Sequence, residues 1–187
     1  TNLNDFHVLQ KTEEDTKRGE MYAQQRQRKQ FENTVSNLDQ FLKQLDIKVK
    51  IKKSNEFLIP RISQLTLKTN QFNLTTRRYQ EEEISEFSKD ENFEVGCVQV
   101  LDKFGDNGIT GAYIVKKNGT SWMLDTFLLS CRIIGRGVED AMLSQILKDA
   151  KNNGVEEFKA EFIHTSKNKP AENFLSDFGF KKQDKFW

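Results

Sequence analysis

The segment Arg132–Gly137, which reads Arg-Ile-Ile-Gly-Arg-Gly, constrains this chain more than any other. An apolar run from Trp122 to Ser130 precedes it, and a helical pattern from Val138 to Lys151 follows it. Glycines in a strand-to-helix turn let the backbone come close to a ligand, and the first N–H groups of the helix point toward that ligand. The order therefore predicts an anion site at this turn, with a tight turn that holds no ligand as the alternative interpretation.

The composition of the chain argues against several classes of partner and site. Of 187 residues, 29 are basic and 28 are acidic, and a net charge of +1 argues against a nucleic-acid partner, which needs a basic face. Neither Cys97 nor Cys131 belongs to a metal-ligand spacing, so we expect no metal site and a reduced, cytoplasmic setting. We also expect no membrane partner, because no apolar run is long enough to span a bilayer and no signal peptide is recognisable.

Residues 1–46 differ from the rest of the chain and predict a helical connector. Thr12 followed by acidic residues is typical of a helix start, and we expect this helix to run to about Phe31. A second helix follows a break at 33–36. The first helix is too polar to be buried alone, so its partner is expected to be an absent upstream domain or a second copy in a homodimer. The contacts of the two helices are expected to be few, mainly through Met21, Tyr22, Phe31, Leu38, Phe41 and Leu42.

From residue 47 to residue 187 the pattern predicts an α+β fold with one mixed sheet and flanking helices. The predicted order is β-α-α-β-β-β-α-β-α-β. Strands are expected near 47–51, 93–101, 109–115, 121–129, 158–162 and 181–187, and helices near 55–67, 80–87, 138–151 and 171–177. Asn107-Gly108 favours a hairpin turn over Gly105–Gly108, between the second and third strands.

The loop form R-x-x-G-x-G and this order of elements resemble the GNAT superfamily of N-acetyltransferases. Two further pieces lie where that superfamily has them: the hairpin strands, and Asn168 followed by a short helix that ends at Gly179-Phe180. The resemblance implies a GNAT-like domain over residues 47–187, with coenzyme A held at the loop.

Longer strings resemble a narrower family. The strings "RISQLTLKTNQFNLTTRRY" (61–79), "FGDNGITG" (104–111) and "DTFLLSCRIIGRGVE" (125–139) resemble the C-terminal half of FkbH-like proteins, and "TEEDTKRGEMY" (12–22) resembles the connector before it. The resemblance implies an upstream haloacid-dehalogenase-like (HAD) domain in the same parent protein. It also implies an acyl carrier protein as partner and the loading of a glyceryl unit on the route to the methoxymalonyl extender unit of polyketides. This chain lacks the D-x-D-x-T motif of the HAD half and does not begin with Met, so we expect it to be a fragment.

The GNAT resemblance assigns expected roles around the loop. Leu128, Leu129 and Ser130, at the end of the central strand, would face a thioester, and a backbone N–H there would polarise its carbonyl. The amides of the loop would hold the pyrophosphate of coenzyme A or the phosphate of phosphopantetheine, and arginine side chains can add charge-assisted bonds. The expected cofactor-binding residues are Leu128, Arg132, Gly135, Arg136, Gly137 and Asn168.

Two side chains bear on catalysis. Cys131 lies beside the loop, where a thiolate near a helix N-terminus can carry an acyl group, but a small buried residue packed against the helix is the favoured interpretation. Cys97, in the middle of a strand, is expected to belong to the core. The superfamily often places a tyrosine general acid where this chain has Leu175, and a leucine cannot donate a proton. His164, after a strand end, is either a base or an ordinary loop residue.

A polar, basic loop between the first two helices of the GNAT-like region is the expected acceptor or acyl-group site. Its candidate substrate-binding residues are Asn70, Phe72, Asn73, Arg77 and Arg78. Asp125, in the central apolar strand, should be paired or catalytic, because a buried carboxylate without a partner is costly. Arg77 or Arg78 is its expected partner.

The resemblance thus implies a GNAT-like acyltransferase domain of an FkbH-like protein that binds coenzyme A or carrier-protein phosphopantetheine. A non-catalytic module that docks the carrier protein is the first alternative. A stand-alone amine N-acetyltransferase is the second, and the N-terminal connector argues against it.

Overall fold

A computed structural model describes residues 13–35, 37–184 and 186–187 of the chain. These residues form two units. The connector unit takes in the described residues up to Ile47 together with Asp102–Gly105, and the sheet unit takes in Lys48–Leu101 and Asp106–Trp187. No helix in the described ranges is both long and apolar enough to cross a membrane.

The connector unit contains helices α1 (Glu13–Thr34) and α2 (Leu38–Leu45). Arg28 is its polar anchor, because its buried guanidinium donates to both carboxylate oxygens of Asp102 at 2.6 and 2.9 Å. Phe31 packs on Phe41 and Phe104, with ring centroids 5.6 and 5.7 Å away. A bidentate pair of this kind is strong and directional, so one arginine holds a helix that has few apolar contacts.

The expected contacts of the first helix were partly wrong. Met21 and Tyr22 are exposed, at 38% and 66% of their surface, so they do not hold the helix in this unit. Phe41 is buried as expected. The expected cap Thr12 lies outside the described residues.

The sheet unit is built on one mixed sheet of six strands in the order β1-β3-β4-β5-β2, with β6 also paired to β5. Its strands are β1 (Lys48–Lys53), β2 (Phe72–Asn73), β3 (Phe93–Asp102), β4 (Gly105–Asn118), β5 (Ser121–Leu129) and β6 (Glu157–Ala160). The remaining helices are α3 (Ile59–Lys68), α4 (Glu81–Lys89), α5 (Val138–Asn152) and α6 (Phe174–Asp177), with a 3-10 turn at Lys169–Ala171. The predicted α+β class is confirmed.

Helices cover both faces of this sheet. On one face Ile62 and Leu65 of α3 and Ile84 of α4 form a buried cluster with alternate residues of the central strands, among them Cys97 and Ile114. On the other face α5 lies by Tyr113, since its Gln145 and Asp149 line a pocket with that ring. Because helices cover both faces of the sheet, consecutive residues of β5 are buried on both of its sides.

The outer edge of β5 is shared by two strands. Its first half, Ser121–Leu124, pairs in parallel with Glu157–Ala160 of β6. Its last two residues, Leu128 and Leu129, pair in antiparallel fashion with Phe72–Asn73 of β2. The chain after β2 bridges the gap between them, because the Leu74 N–H donates to the Phe127 carbonyl and the Leu74 carbonyl accepts from the Ile163 N–H. The expected order missed β2.

Two other predictions were wrong in detail. The hairpin turn lies at Lys103–Phe104, and Asn107-Gly108 lies inside β4. The last strand is reduced to isolated bridges, in which Trp187 exchanges two backbone hydrogen bonds with Ala160. Both errors concern segments whose pairing is decided by distant partners rather than by local turn residues.

Candidate functional site

The Arg132–Gly137 loop has the backbone that an anion site requires. Gly135 and Gly137 have φ of +74° and +75°, the left-handed region that glycine adopts without strain. Above both glycines the space is open, since a methyl group built there would meet no atom within 4 Å. The loop leads directly into α5, whose N-terminus starts at Val138. Arg132 and Arg136 are half-buried at its flanks.

One carboxylate of the chain already occupies part of this loop. Glu139, in the first turn of α5, accepts a hydrogen bond from the Gly135 N–H at 2.9 Å through Oε1. Glu139 is buried, and its Oε2 has no hydrogen-bond partner among the described residues. Burial raises the pKa of Glu139, an effect that the backbone amides of Glu139 itself, Gly135 and Val138 oppose and the neighbouring charge of Asp140 increases.

A cavity of about 480 Å³ opens beside the start of α5. Its wall is apolar at Phe72 and Phe174, whose ring centroids lie 5.2 Å apart. The charged side chains on it are three carboxylates and one lysine: Glu139, Asp140, Asp177 and Lys169. It can therefore take an elongated neutral chain, while its charge disfavours a polyanion.

The end of β5 is fully hydrogen-bonded in this structure. Leu128 and Leu129 pair with β2 on one side and with Gly111–Ala112 of β4 on the other. The Ser130 N–H donates to the Thr110 carbonyl at 2.7 Å. The backbone N–H expected to polarise a thioester carbonyl is thus engaged at all three positions, and that role stays a prediction.

A second cavity of about 390 Å³ lies where β5 ends, between α3 and the following loop. Ser130 and Cys131 line it together with Arg61, Gln64, Leu65, Lys68, Thr69, Asn70 and Gln71. Arg61 is held in place by two bonds to the Ile109 carbonyl, at 3.1 and 3.0 Å. Burial, and to a lesser extent the nearby charge of Arg132, lowers the pKa of Arg61.

Sequence reasoning missed Arg61 and Lys68 as site residues. They are seven positions apart on α3, a spacing that places both on one helix face, and this signal was available. Of the candidate substrate residues only Asn70 lines this cavity.

The other candidate substrate residues lie elsewhere. Phe72 and Asn73 are buried in β2, and Phe72 lines the cavity beside α5. Arg78 donates to the carbonyls of Thr66 and Thr69 and to the Asn70 side chain, which fixes the loop after α3.

Asp125 is paired, as predicted, and its partner is Arg77 rather than Arg78. The fully buried carboxylate lies 3.3 Å from Arg77 Nη1 and 2.6 Å from Lys116 Nζ, and it accepts from the hydroxyls of Tyr79 and Thr126 at 2.7 and 2.9 Å. Arg77 also pairs with Glu161 at 2.6 Å. Because Arg77 and Tyr79 lie in the loop after β2 and Lys116 lies in β4, the network ties that loop and β4 to β5.

The cysteines differ in exposure. Cys97 is fully buried, as predicted, and burial raises its pKa to about 11. Cys131 is exposed, so the favoured interpretation of a buried, space-filling residue was wrong. His164 is an exposed residue after β6, and Leu175 is buried in α6.

Asn168 is buried away from solvent, and its amide is fully used within the protein. Its Oδ1 accepts from the Thr165 N–H at 2.8 Å, and its Nδ2 donates to the carbonyls of Asn73 and Ile163 at 3.0 and 2.9 Å. These bonds join β2 to the chain after β6. The observed contacts give Asn168 a structural role, and its expected contact with a cofactor stays a prediction.

No protein-family profile matches the chain, and no curated protein sequence matches it. Solved structures do match. One is a ribosomal-protein alanine N-acetyltransferase from Escherichia coli, 14% identical, with a TM-score of 0.56 over 73% of this chain and 79% of that one. Another is an acetyltransferase of the GNAT family from Staphylococcus aureus, 12% identical, with a TM-score of 0.55 over 72% of this chain and 85% of that one.

A third match carries a ligand. It is AAC(6')-Iy in complex with the bisubstrate analogue CoA-S-monomethyl-acetylneamine, 12% identical, with a TM-score of 0.56 over 72% of this chain and 92% of that one. At these identities the likeness shows the fold. The sheet unit has the GNAT fold.

Proposed function

We propose that this chain is the GNAT-like part of an FkbH-like protein, and that it binds the phosphopantetheine arm of an acyl carrier protein or of coenzyme A. The observation that carries the proposal is the loop before α5, with two left-handed glycines under open space at the strand-to-helix junction of a GNAT fold. The related fold of AAC(6')-Iy holds a coenzyme A analogue, which supports the same class of ligand here.

The residues around the loop suit such a ligand in three places. Loop amides and the Arg132 and Arg136 side chains would hold a phosphate. The cavity lined by Phe72 and Phe174 would hold the neutral arm. The phosphate is the charged part of this ligand, and the positive end of the α5 dipole stabilises that charge. The arm is neutral and needs no charged partner.

The cavity at Ser130 and Cys131 would hold the acyl group. Amides of Gln64, Asn70 and Gln71 can donate to and accept from hydroxyls, as a glyceryl unit requires. Transfer between two thiols would break one C–S bond and form another, and the departing thiolate needs no general acid. The leucine at position 175 is therefore compatible with transfer between thiols and unsuited to the acid-assisted chemistry of amine acetylation. This reaction would act in glyceryl and methoxymalonyl extender-unit biosynthesis.

A non-catalytic docking module is the second candidate. The hydrogen-bonded end of β5 favours this candidate. Backbone groups of β5 that would otherwise polarise a thioester carbonyl are paired with β2. A docking module needs only the phosphate loop and the arm cavity, and both are compatible with the observed pairing.

Calorimetry with 4'-phosphopantetheine and coenzyme A tests binding. We expect Gly137→Asp to abolish binding, because it adds a negative charge at the phosphate position. Gly119→Ala is the matched control, since Gly119 also has a positive φ (+55°) but lies in the remote turn between β4 and β5. Equal binding in wild type and Gly137→Asp would contradict the proposed site.

Incubation with a glyceryl thioester and a holo acyl carrier protein separates the two candidates. Appearance of the glyceryl mass on the carrier supports the acyltransferase. Carrier binding without transfer supports the docking module. Acetylation of amines with no effect of the carrier protein would favour the stand-alone N-acetyltransferase instead.

A further inference from the structure

The cleft at the start of α5 contains a buried carboxylate that the proposed function does not use. Glu139 accepts from the Gly135 N–H at 2.9 Å, in the position where a loop of this kind receives an anion. Its second oxygen is buried and has no partner among the described residues, although Glu139 is only 9% exposed. A carboxylate over helix amides has the chemistry of a phosphate oxygen, so Glu139 competes with a ligand for these donors.

A single phosphate and a pyrophosphate differ in what they demand of this loop. A single phosphate can use the remaining amides and the flanking arginines. A pyrophosphate needs donors for both of its phosphates, and one of the loop's amides is already bound to a negatively charged group. The adjoining cavity adds Asp140 and Asp177 against one cation, Lys169. Electrostatic repulsion at this short range is strong, because the carboxylate is shielded from water.

We propose that Glu139 is the specificity-determining residue of the loop, which admits the phosphate of a carrier-linked phosphopantetheine and rejects the pyrophosphate of free coenzyme A. This inference rests on the proposed function. It predicts that a partner protein, rather than the free cofactor, delivers the arm.

Glu139→Gln tests this in the full chain, with two calorimetric probes: dephospho-coenzyme A, and the methyl ester of 4'-phosphopantetheine, which is a phosphodiester like the carrier-linked arm. The amide keeps the size of the side chain and removes its charge. We expect wild type to prefer the phosphopantetheine ester, and we expect Glu139→Gln to shift the ratio of the two dissociation constants by at least about tenfold toward dephospho-coenzyme A. Glu156→Gln is the charge-matched control, and it should shift the ratio less than about threefold because Glu156 is exposed and its N–H bonds to the Thr120 carbonyl, in the turn between β4 and β5.

The outcomes separate the two proposals. If both probes bind and the ratio is the same in wild type and Glu139→Gln, the inference is overturned and the proposed function stands. If neither probe binds any variant, both fail. A preference of the wild type for dephospho-coenzyme A also overturns the inference.

A second measurement needs no variant. Because its pKa is raised, Glu139 gains a proton at a higher pH than an ordinary glutamate. The charged groups on the elements around it are Asp140 on α5, Lys169 in the 3-10 turn and Asp177 on α6. We expect the affinity of wild type for dephospho-coenzyme A to rise as the pH is lowered, and to begin rising at a higher pH than an ordinary glutamate would allow, because the pyrophosphate stays ionised while Glu139 loses its charge. A flat profile would overturn the inference even if Glu139→Gln does not fold.

Discussion

Replacing Asp125 by alanine should destabilise the sheet unit by about 3–4 kcal/mol. Asp125 is fully buried in β5 and accepts four hydrogen bonds, two from cations and two from hydroxyls. When the carboxylate is removed, its four donors lose the negative charge that they surround. The loss should therefore exceed that of a typical substitution.

The magnitude follows from how exposed each partner is. The Arg77 and Lys116 side chains are 30% and 41% exposed, so water can solvate their charges once the carboxylate is gone. Each of these two ion pairs therefore contributes at most about 1 kcal/mol to the loss of stability. The hydroxyls of Tyr79 and Thr126 lose bonds to a charged acceptor, each worth about 1.5 kcal/mol or more. Asp125→Asn keeps the shape and one acceptor oxygen, and it should cost about 2 kcal/mol.

Urea unfolding followed by tryptophan fluorescence measures this loss. Both tryptophans, Trp122 and Trp187, belong to the sheet unit, so the signal reports that unit. For a protein of this size, about 3 kcal/mol lowers the urea midpoint by about 1–2 M.

Glu157→Gln is the control for this measurement, because Glu157 is also a strand carboxylate with a lysine partner, Lys159, but its side chain is 52% exposed. It should leave the midpoint unchanged. An equal, small shift in Asp125→Ala and Glu157→Gln would refute the view that the buried network stabilises β5.

Three further predictions concern other parts of the chain. Iodoacetamide at about pH 8 should alkylate exposed Cys131 and spare Cys97, whose pKa of about 11 keeps it a thiol, and intact mass that shows two adducts on the folded protein would contradict this. Arg28→Ala should speed amide hydrogen exchange in α1 and leave α5 unchanged, because it removes the bidentate anchor of the connector unit, whereas unchanged exchange in α1 would show that other contacts hold that helix. Gly96→Ala should lower stability by about 1–3 kcal/mol, since its methyl group would overlap the Tyr113 ring, and a midpoint equal to that of wild type in urea would show that the ring moves aside freely.

Much of the sheet unit was predictable because its signals are local. The alternating apolar residues of β1, the apolar run of β5 and the helical spacing of α5 each depend on residues within a few positions of one another. The same holds for the loop, where two glycines between a strand and a helix predicted an anion-type turn, and both adopt the left-handed conformation.

The predictions that were wrong concern features that are set by contacts between residues far apart in the sequence. The two residues of β2 are too short a segment to signal a strand, and they become one because they pair with the edge formed by Leu128 and Leu129, which are 55 and 57 positions away from their respective partners. The hairpin turn moved to Lys103–Phe104 for a related reason: strand register, rather than the turn preference of Asn107-Gly108, set where the chain reverses.

The sequence by itself determined the class of fold, the position of the glycine turn before α5 and the need for a partner at Asp125. Only the tertiary structure decided that Arg77 and Lys116 are the partners of Asp125. It also decided that Arg61 and Lys68 line one cavity with Cys131, and that a carboxylate is bonded to the loop. The physical reason is that periodicity and turn chemistry act within one element, whereas the burial of a charge depends on which distant segments pack around it. Glu139 illustrates this. From the sequence, a glutamate in the first turn of a helix is expected only to stabilise the helix dipole. Its burial and its bond to Gly135 are known only from the tertiary structure.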